Sequence, residues 1–156
     1  MSKEHTYRAH IEWTGNRGEG TSHYRSYDRS HKIKVAGKQV IESSSDPAFM
    51  GDATKYNPEE LLLASLSSCH MLWFLHLCAD NGIVVIDYND EAMGTMVERL
   101  SGGGCFTEVV LHPVVTITDK TKIEKANGLH FEANKKCFIA NSCNFPVMHK
   151  PTCMVI

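Results

Sequence analysis

Two of the six cysteines in this 156-residue chain have surroundings that suggest chemistry. Cys69 lies in Ala64-Ser65-Leu66-Ser67-Ser68-Cys69-His70, midway along an apolar run, and Cys137 lies in Lys135-Lys136-Cys137-Phe138-Ile139-Ala140-Asn141-Ser142. A thiol attacks as its thiolate, so each site must contain something that holds an anion. At helical spacing the neighbours of Cys69 are Ser65, Leu66, Leu72 and Trp73, none of them charged. The helix dipole gives no help, because it fades within the first turn. His70 comes next but projects about 100° around a helix from Cys69, which makes it a poor base for that thiol. Two readings stay open: Cys69 is a small core residue with a raised pKa, or a nucleophile whose cation comes from elsewhere in the fold. Thiols carried on separate helices meet only if those helices pack together; one can then attack a peroxide and the other close a disulfide.

The other four thiols read as structural. Cys78 fits an apolar stripe, Cys105 follows a glycine run, Cys143 neighbours a helix end and Cys153 is near the C-terminus. There is no CxxC pair, and His70 and His76 are six residues apart rather than at the i, i+4 spacing that puts two ligands on one helical face, so no metal is expected. Ser101-Gly102-Gly103-Gly104 is followed by neither Lys-Ser/Thr nor a helix start, which excludes a phosphate loop.

The elements that must position these thiols follow from periodicity. Tyr7, Ala9, Ile11 and Trp13 alternate with polar residues and predict a half-buried strand, with a turn at Gly15-Asn16-Arg17-Gly18. A second strand through Tyr24 and Tyr27 and a third through Ile33 and Val35 would complete a meander before the loop Ser43-Ser44-Ser45-Asp46-Pro47. Asn57-Pro58-Glu59-Glu60 is a helix start: Asn57 caps, Pro58 suits the first position and Glu60 reaches back. Apolar residues continue on nearly every side to Cys78, and Asn81-Gly82 ends the helix, which should therefore be central. Val84 to Met96 and Phe106 to Thr118 read as strands joined by the glycine hairpin. Ile123, Ala126, His130, Ala133, Cys137 and Ala140 recur at three and four, predicting a second helix from Lys120 to about Asn141, weakened by Gly128. A last strand starts at Val147, at an edge because Pro151 lacks a donor.

With 42% hydrophobic and 22% charged residues and a net charge of -2, the chain suits one domain, 1–156, and excludes disordered, collagen-like and coiled-coil classes. No basic run points to nucleic acid. The first residues lack the apolar segment of a secretory signal, and Ser, His and Asn interrupt the long apolar run before it would span a bilayer. No membrane association is expected, and a cytoplasmic location is.

Taken together, Asn57-Pro58-Glu59-Glu60-Leu61-Leu62-Leu63-Ala64-Ser65-Leu66-Ser67-Ser68-Cys69-His70, Cys137-Phe138-Ile139-Ala140-Asn141-Ser142 and the Pro146-Val147 strand start resemble the OsmC/Ohr family of thiol-dependent hydroperoxide reductases, and the OsmC-like branch in particular. The resemblance implies an α+β fold, two antiparallel sheets around central helices, in an intertwined homodimer with its active site at the interface. It implies Cys69 as the peroxidatic thiol, Cys137 as the resolving thiol, Glu59 as the carboxylate ten residues before Cys69, and an arginine to hold the thiolate. Arg17, in the glycine-rich turn, matches best, with Arg25 and Arg29 as rivals. On one straight helix Glu59 and Cys69 stand about 15 Å apart, so a Glu59 that orients that arginine would come from the partner subunit. The implied substrate is an organic hydroperoxide, the implied reductant a lipoyl-type dithiol, and no cofactor is required. The competing reading is a non-catalytic dimer of the same fold that binds a small apolar ligand.

Overall fold

Asn57 and Glu60 close a reciprocal pair of hydrogen bonds: the Glu60 amide donates to Asn57 Oδ1 at 2.8 Å, and the Asn57 amide donates to a Glu60 carboxylate oxygen at 3.1 Å. This capping box satisfies two donors that a helix start would otherwise strand. From it runs α1, Pro58–Asp80, which stops at Gly82 in the left-handed region at φ 63°. The start, the stop and Pro58 at the first position all match the sequence reading. The structure, a computed structural model, describes residues 3–156 and divides into two compact units, one ending at Leu61 and the other Leu62–Ile156.

The first unit holds an antiparallel meander of β1 (His10–Trp13), β2 (His31–Lys34) and β3 (Ile41–Ser43). Ile11 faces Ile33, which faces Ile41, and across the strands Lys34 pairs with Glu12 and Lys32 with Glu42. The meander departs from expectation at three points. The first strand is exposed along its length rather than half-buried. The segment through Tyr24 and Tyr27 is a turn instead of a strand: the Arg29 guanidinium lies 4.2 Å from both tyrosine rings and donates to the carbonyls of Tyr24 and Tyr27. These contacts take up the backbone groups a strand would have used. The third strand of the meander is β3, in what reads from sequence as the start of a loop.

In the second unit each predicted long strand breaks in two. Val84–Met96 becomes β4 (Val85–Asp90) and β5 (Met93–Glu98), and Phe106–Thr118 becomes β6 (Gly104–Leu111) and β7 (Pro113–Ile117). The halves separate into two sheets, β4-β7-β9 and β5-β6-β8, where β8 is Val147–His149 and β9 is Thr152–Val155. Among the described residues there are thus three sheets rather than two, and two of them are mixed. The last strands arrive after a helical crossover, so β8 pairs parallel to β6 and β9 parallel to β7, both at edges. The glycine hairpin joins β5 to β6 as predicted.

The second helix, α2, is Ile123–Lys136 after a short 3-10 turn, and it ends before Cys137 rather than continuing to Asn141. Cys137 is extended, at φ −65° and ψ 111°, and a 3-10 turn at Ala140–Ser142 follows it. Two apolar clusters fill the unit. One gathers Phe74, Cys78, Val115, Ile117, Ala126 and Ala133; the other gathers Leu66, Val109, Leu111, Ile139 and Ala140. By length and composition α1 is apolar enough to cross a membrane, contrary to the sequence expectation, but Leu66, Phe74 and Cys78 are buried in these two clusters.

Gly128 sits in the exposed interior of α2, where an added Cβ would meet nothing within 4 Å. Gly128→Ala should therefore stabilise the fold by about 0.5–1 kcal/mol, through lower unfolded-chain entropy and better helix propensity. This would be read as a raised urea midpoint at unchanged slope.

Candidate thiol site

α1 presents two chemically different faces. Leu66, His70, Phe74 and Cys78 follow one another at intervals of four and are buried. Beside them Ser65, Ser68, Cys69, Leu72, Trp73 and His76 line an open cavity of about 620 Å³, closed on its far side by Phe138 and Ile139. The Ser65 and Ser68 hydroxyls donate back to the carbonyls of Leu62 and Ala64, both at 2.7 Å, so the wall they form offers few free donors. Trp73 meets Phe138 edge to face at 5.8 Å, and the Lys136 ammonium lies 5.6 Å from the Trp73 ring. The cavity is an apolar slot with one thiol, Cys69, half-buried in its wall.

Cys137 is buried directly behind that thiol. Its pKa is pushed up to about 11, first by burial and then by the neighbouring Cys69 thiol, against a lowering contribution from the Ala140 amide, which donates to Cys137 Sγ at 3.4 Å. The two thiols that sequence singled out are therefore neighbours. Because Cys137 caps α2 rather than lying within it, the chain leaves the helix there and carries Phe138 and Ile139 onto the cavity.

A second cross-helix contact lies one residue along. His70 Nε2 and His130 Nδ1 are 3.0 Å apart, with both residues 1% exposed, and the His149 ring of β8 stands 5.4 Å from that of His70. Burial lowers the His70 pKa to about 4, with His149 adding to the shift and Asp90 opposing it. Burial, then His70 and His149, lowers that of His130 to about 3. At neutral pH both rings are uncharged. Sequence reasoning placed His130 on the apolar periodicity of α2 but did not connect it with His70. The available signal was one polar residue on the apolar stripe of each helix.

Residues 51–150 match the family model described as OsmC-like protein. The chain belongs to the OsmC-like family. An OsmC-like protein of unknown function from Vibrio cholerae is 30% identical, with 96% of this chain and all of that chain covered and a TM-score of 0.86. An organic hydroperoxide resistance protein from Elizabethkingia anophelis shares 20% identity over the full length of both chains at a TM-score of 0.71. One from Bacillus subtilis shares 21%, covering 94% of this chain and 98% of its own, at 0.61. No curated protein sequence matches.

The remaining candidates of the OsmC-like pattern lie in the first unit. Arg17 donates to the carbonyls of Ser26 and Arg25 and stands 3.8 Å from an Asp28 carboxylate oxygen, while Arg29 is taken up by its two tyrosines. Glu59, in the first turn of α1, has a buried carboxylate oxygen, Oε2, with no hydrogen-bond partner. Among the described residues no group of three or more His, Cys, Asp or Glu is arranged to hold a metal ion.

The histidine pair sets a pH dependence. In the unfolded chain each ring takes up a proton near 6.5, whereas in the folded chain it does so only near 4 or 3, so between these values the unfolded state binds more protons. Stability should be complete above about pH 6.5 and fall as pH drops from there toward 4, by up to about 7 kcal/mol if both rings contribute in full, since each ring loses about 1.4 kcal/mol for every pH unit crossed between its unfolded and folded values. Urea midpoints measured between pH 7.5 and 4.5 would show this; a flat profile over that range would refute it.

Proposed function

We propose that this protein is a thiol-dependent reductase of organic hydroperoxides that works as a cytoplasmic homodimer, with residues 1–156 as one functional domain. The observation that carries the reading is that the Cys69 and Cys137 thiols are neighbours at the wall of an apolar cavity. Cys69, which lines the cavity, is the attacker. Its thiolate takes the terminal oxygen of the hydroperoxide, the O–O bond breaks, the alcohol leaves with a proton, and Cys69 becomes a sulfenic acid. Cys137, held as a thiol at neutral pH, does not compete for the peroxide. It then attacks the Cys69 sulfur, water departs, and a Cys69–Cys137 disulfide forms. A lipoyl-type dithiol restores both thiols through two exchange steps and leaves as its own disulfide.

The apolar walls formed by Leu72, Trp73, Phe138 and Ile139 favour an alkyl or aryl hydroperoxide over hydrogen peroxide. Arg17 is assigned to the thiolate and Glu59 of the partner subunit to that arginine. The unpartnered Glu59 oxygen supports this assignment, since a buried carboxylate oxygen calls for a donor. No metal or organic cofactor enters the scheme.

Stoichiometric cumene hydroperoxide added to the reduced protein should produce a Cys69–Cys137 disulfide within seconds and leave the other four thiols free, as read by alkylation and peptide mass. Cys69→Ser should abolish peroxide consumption, and Cys137→Ser should consume one equivalent and stop at the sulfenic acid. Slow oxidation of all six thiols without preference would instead favour an OsmC-fold dimer that binds an apolar ligand without turnover.

A further inference from the structure

We propose that the buried His70–His130 hydrogen bond fixes how α1 and α2 meet and so holds Cys69 against Cys137, an inference that rests on the thiol-pair reading above for its consequence. His70 and His130 are then positioning residues, and neither touches substrate. The bond is well aligned: the ring planes lie within 9° of each other, the centroids are 5.3 Å apart and the nitrogens 3.0 Å apart, so the rings meet edge to edge with the proton on the line between them.

The imidazole pair and the thiol pair join the same two segments. On α1, His70 follows Cys69. On α2, His130 precedes Cys137 by seven residues, two helical turns, which returns to nearly the same face. Both pairs lie between the two apolar clusters. On α1, Leu66 enters one cluster and Phe74 the other, with His70 between them; Ala133 of α2 and Ile139, beyond its end, do the same on either side of Cys137. The buried residues of α2 other than His130 are Ala126 and Ala133, whose methyl groups interlock weakly with a neighbour and by themselves would let it slide; Ile123 and Leu129 pack partly buried against the core, and Asn134 Nδ2 donates to the Val147 carbonyl at 3.2 Å, which ties α2 to β8 rather than to α1. A hydrogen bond between two buried rings tolerates no such slide, because displacement strands a nitrogen on each side. The Phe74 ring stacks on His130 at 3.9 Å and closes the pair off from water.

The measurement is the equilibrium in which the Cys69–Cys137 disulfide and two glutathione thiols exchange for the protein dithiol and glutathione disulfide. Its constant gives the effective molarity of the thiol pair without any peroxide. His130→Phe and His70→Phe keep a ring and lose the bond, whereas His130→Asn and His70→Gln each put an amide atom where the bonding nitrogen was. Each Phe variant should lower the effective molarity about three- to tenfold, the worth of one net hydrogen bond, while the Asn and Gln variants stay within about twofold of the parent. Phe variants equal to the parent, or Asn and Gln variants as poor as Phe, would overturn the proposal.

Because coupling is reciprocal, closing the disulfide in the parent protein should slow exchange of the shared imidazole proton with water by a similar factor. Equal exchange in the dithiol and disulfide forms would overturn the proposal even if no Phe variant folds. A protein inert to hydroperoxide that still shows the Phe-against-amide split would refute the reductase and leave the positioning role standing.

Discussion

α1 is apolar on almost every side, so burial of its surface does not decide which side faces the rest of the second unit. Any rotation about its axis would hide a similar area. Its polar groups make the choice: Ser67 donates to Asp90 at 2.5 Å and His70 bonds to His130 at 3.0 Å. A turn of one residue, about 100°, would strand both at once, and an unpaired buried polar group costs about 1–3 kcal/mol. The sheets, the second helix and the cavity are arranged around a helix whose rotation these two contacts select.

That constraint also separates the chemistry of the thiols. Cys69 lies on the face that opens to the cavity, and Cys137 behind it is held protonated by burial and by Cys69. Burial raises the pKa of Cys78 to about 12, and it raises those of Cys143 and Cys153 as well. A sulfur kept as a thiol is a poor nucleophile and a poor target for oxidation, so six cysteines do not amount to six reactive groups. The near-neutral charge of the whole chain says nothing of this, because the distinction comes from local desolvation.

How far the fold was legible depended on how local its causes are. The start of α1 was readable residue by residue because Asn57, Pro58 and Glu60 act within one turn, and the same holds for Gly82 at its end. The turn at Tyr24–Arg29 was not. Alternating aromatics look like a strand, and only the guanidinium seated between two rings reveals a turn. The splitting of the long strands escaped for the opposite reason: the sheets that receive the halves are built from segments far apart in sequence, and no local pattern encodes which edge is free. The site divides in the same way. Each thiol could be picked out by its surroundings, but their proximity, and the imidazole pair beside them, depend on how two helices pack.

The end of α2 gives the thiol pair its asymmetry. A disulfide requires its two Cα atoms to lie within a narrow range of about 4.4–6.8 Å, so whatever backbone adjustment the proposed disulfide demands must come from one side of the pair. Cys69 cannot supply that movement, since a mid-helix residue is tied by hydrogen bonds in both directions along α1. Cys137 can, because it is extended where the helix stops and only a short 3-10 turn follows. The same residue leads into Phe138 and Ile139 on the cavity wall, so any shift of Cys137 toward Cys69 alters the space in which an apolar substrate or its alcohol product would sit. Had α2 continued to Asn141, as its periodicity suggests, both sulfurs would be fixed in rigid helices and the link between thiol state and cavity shape would be lost.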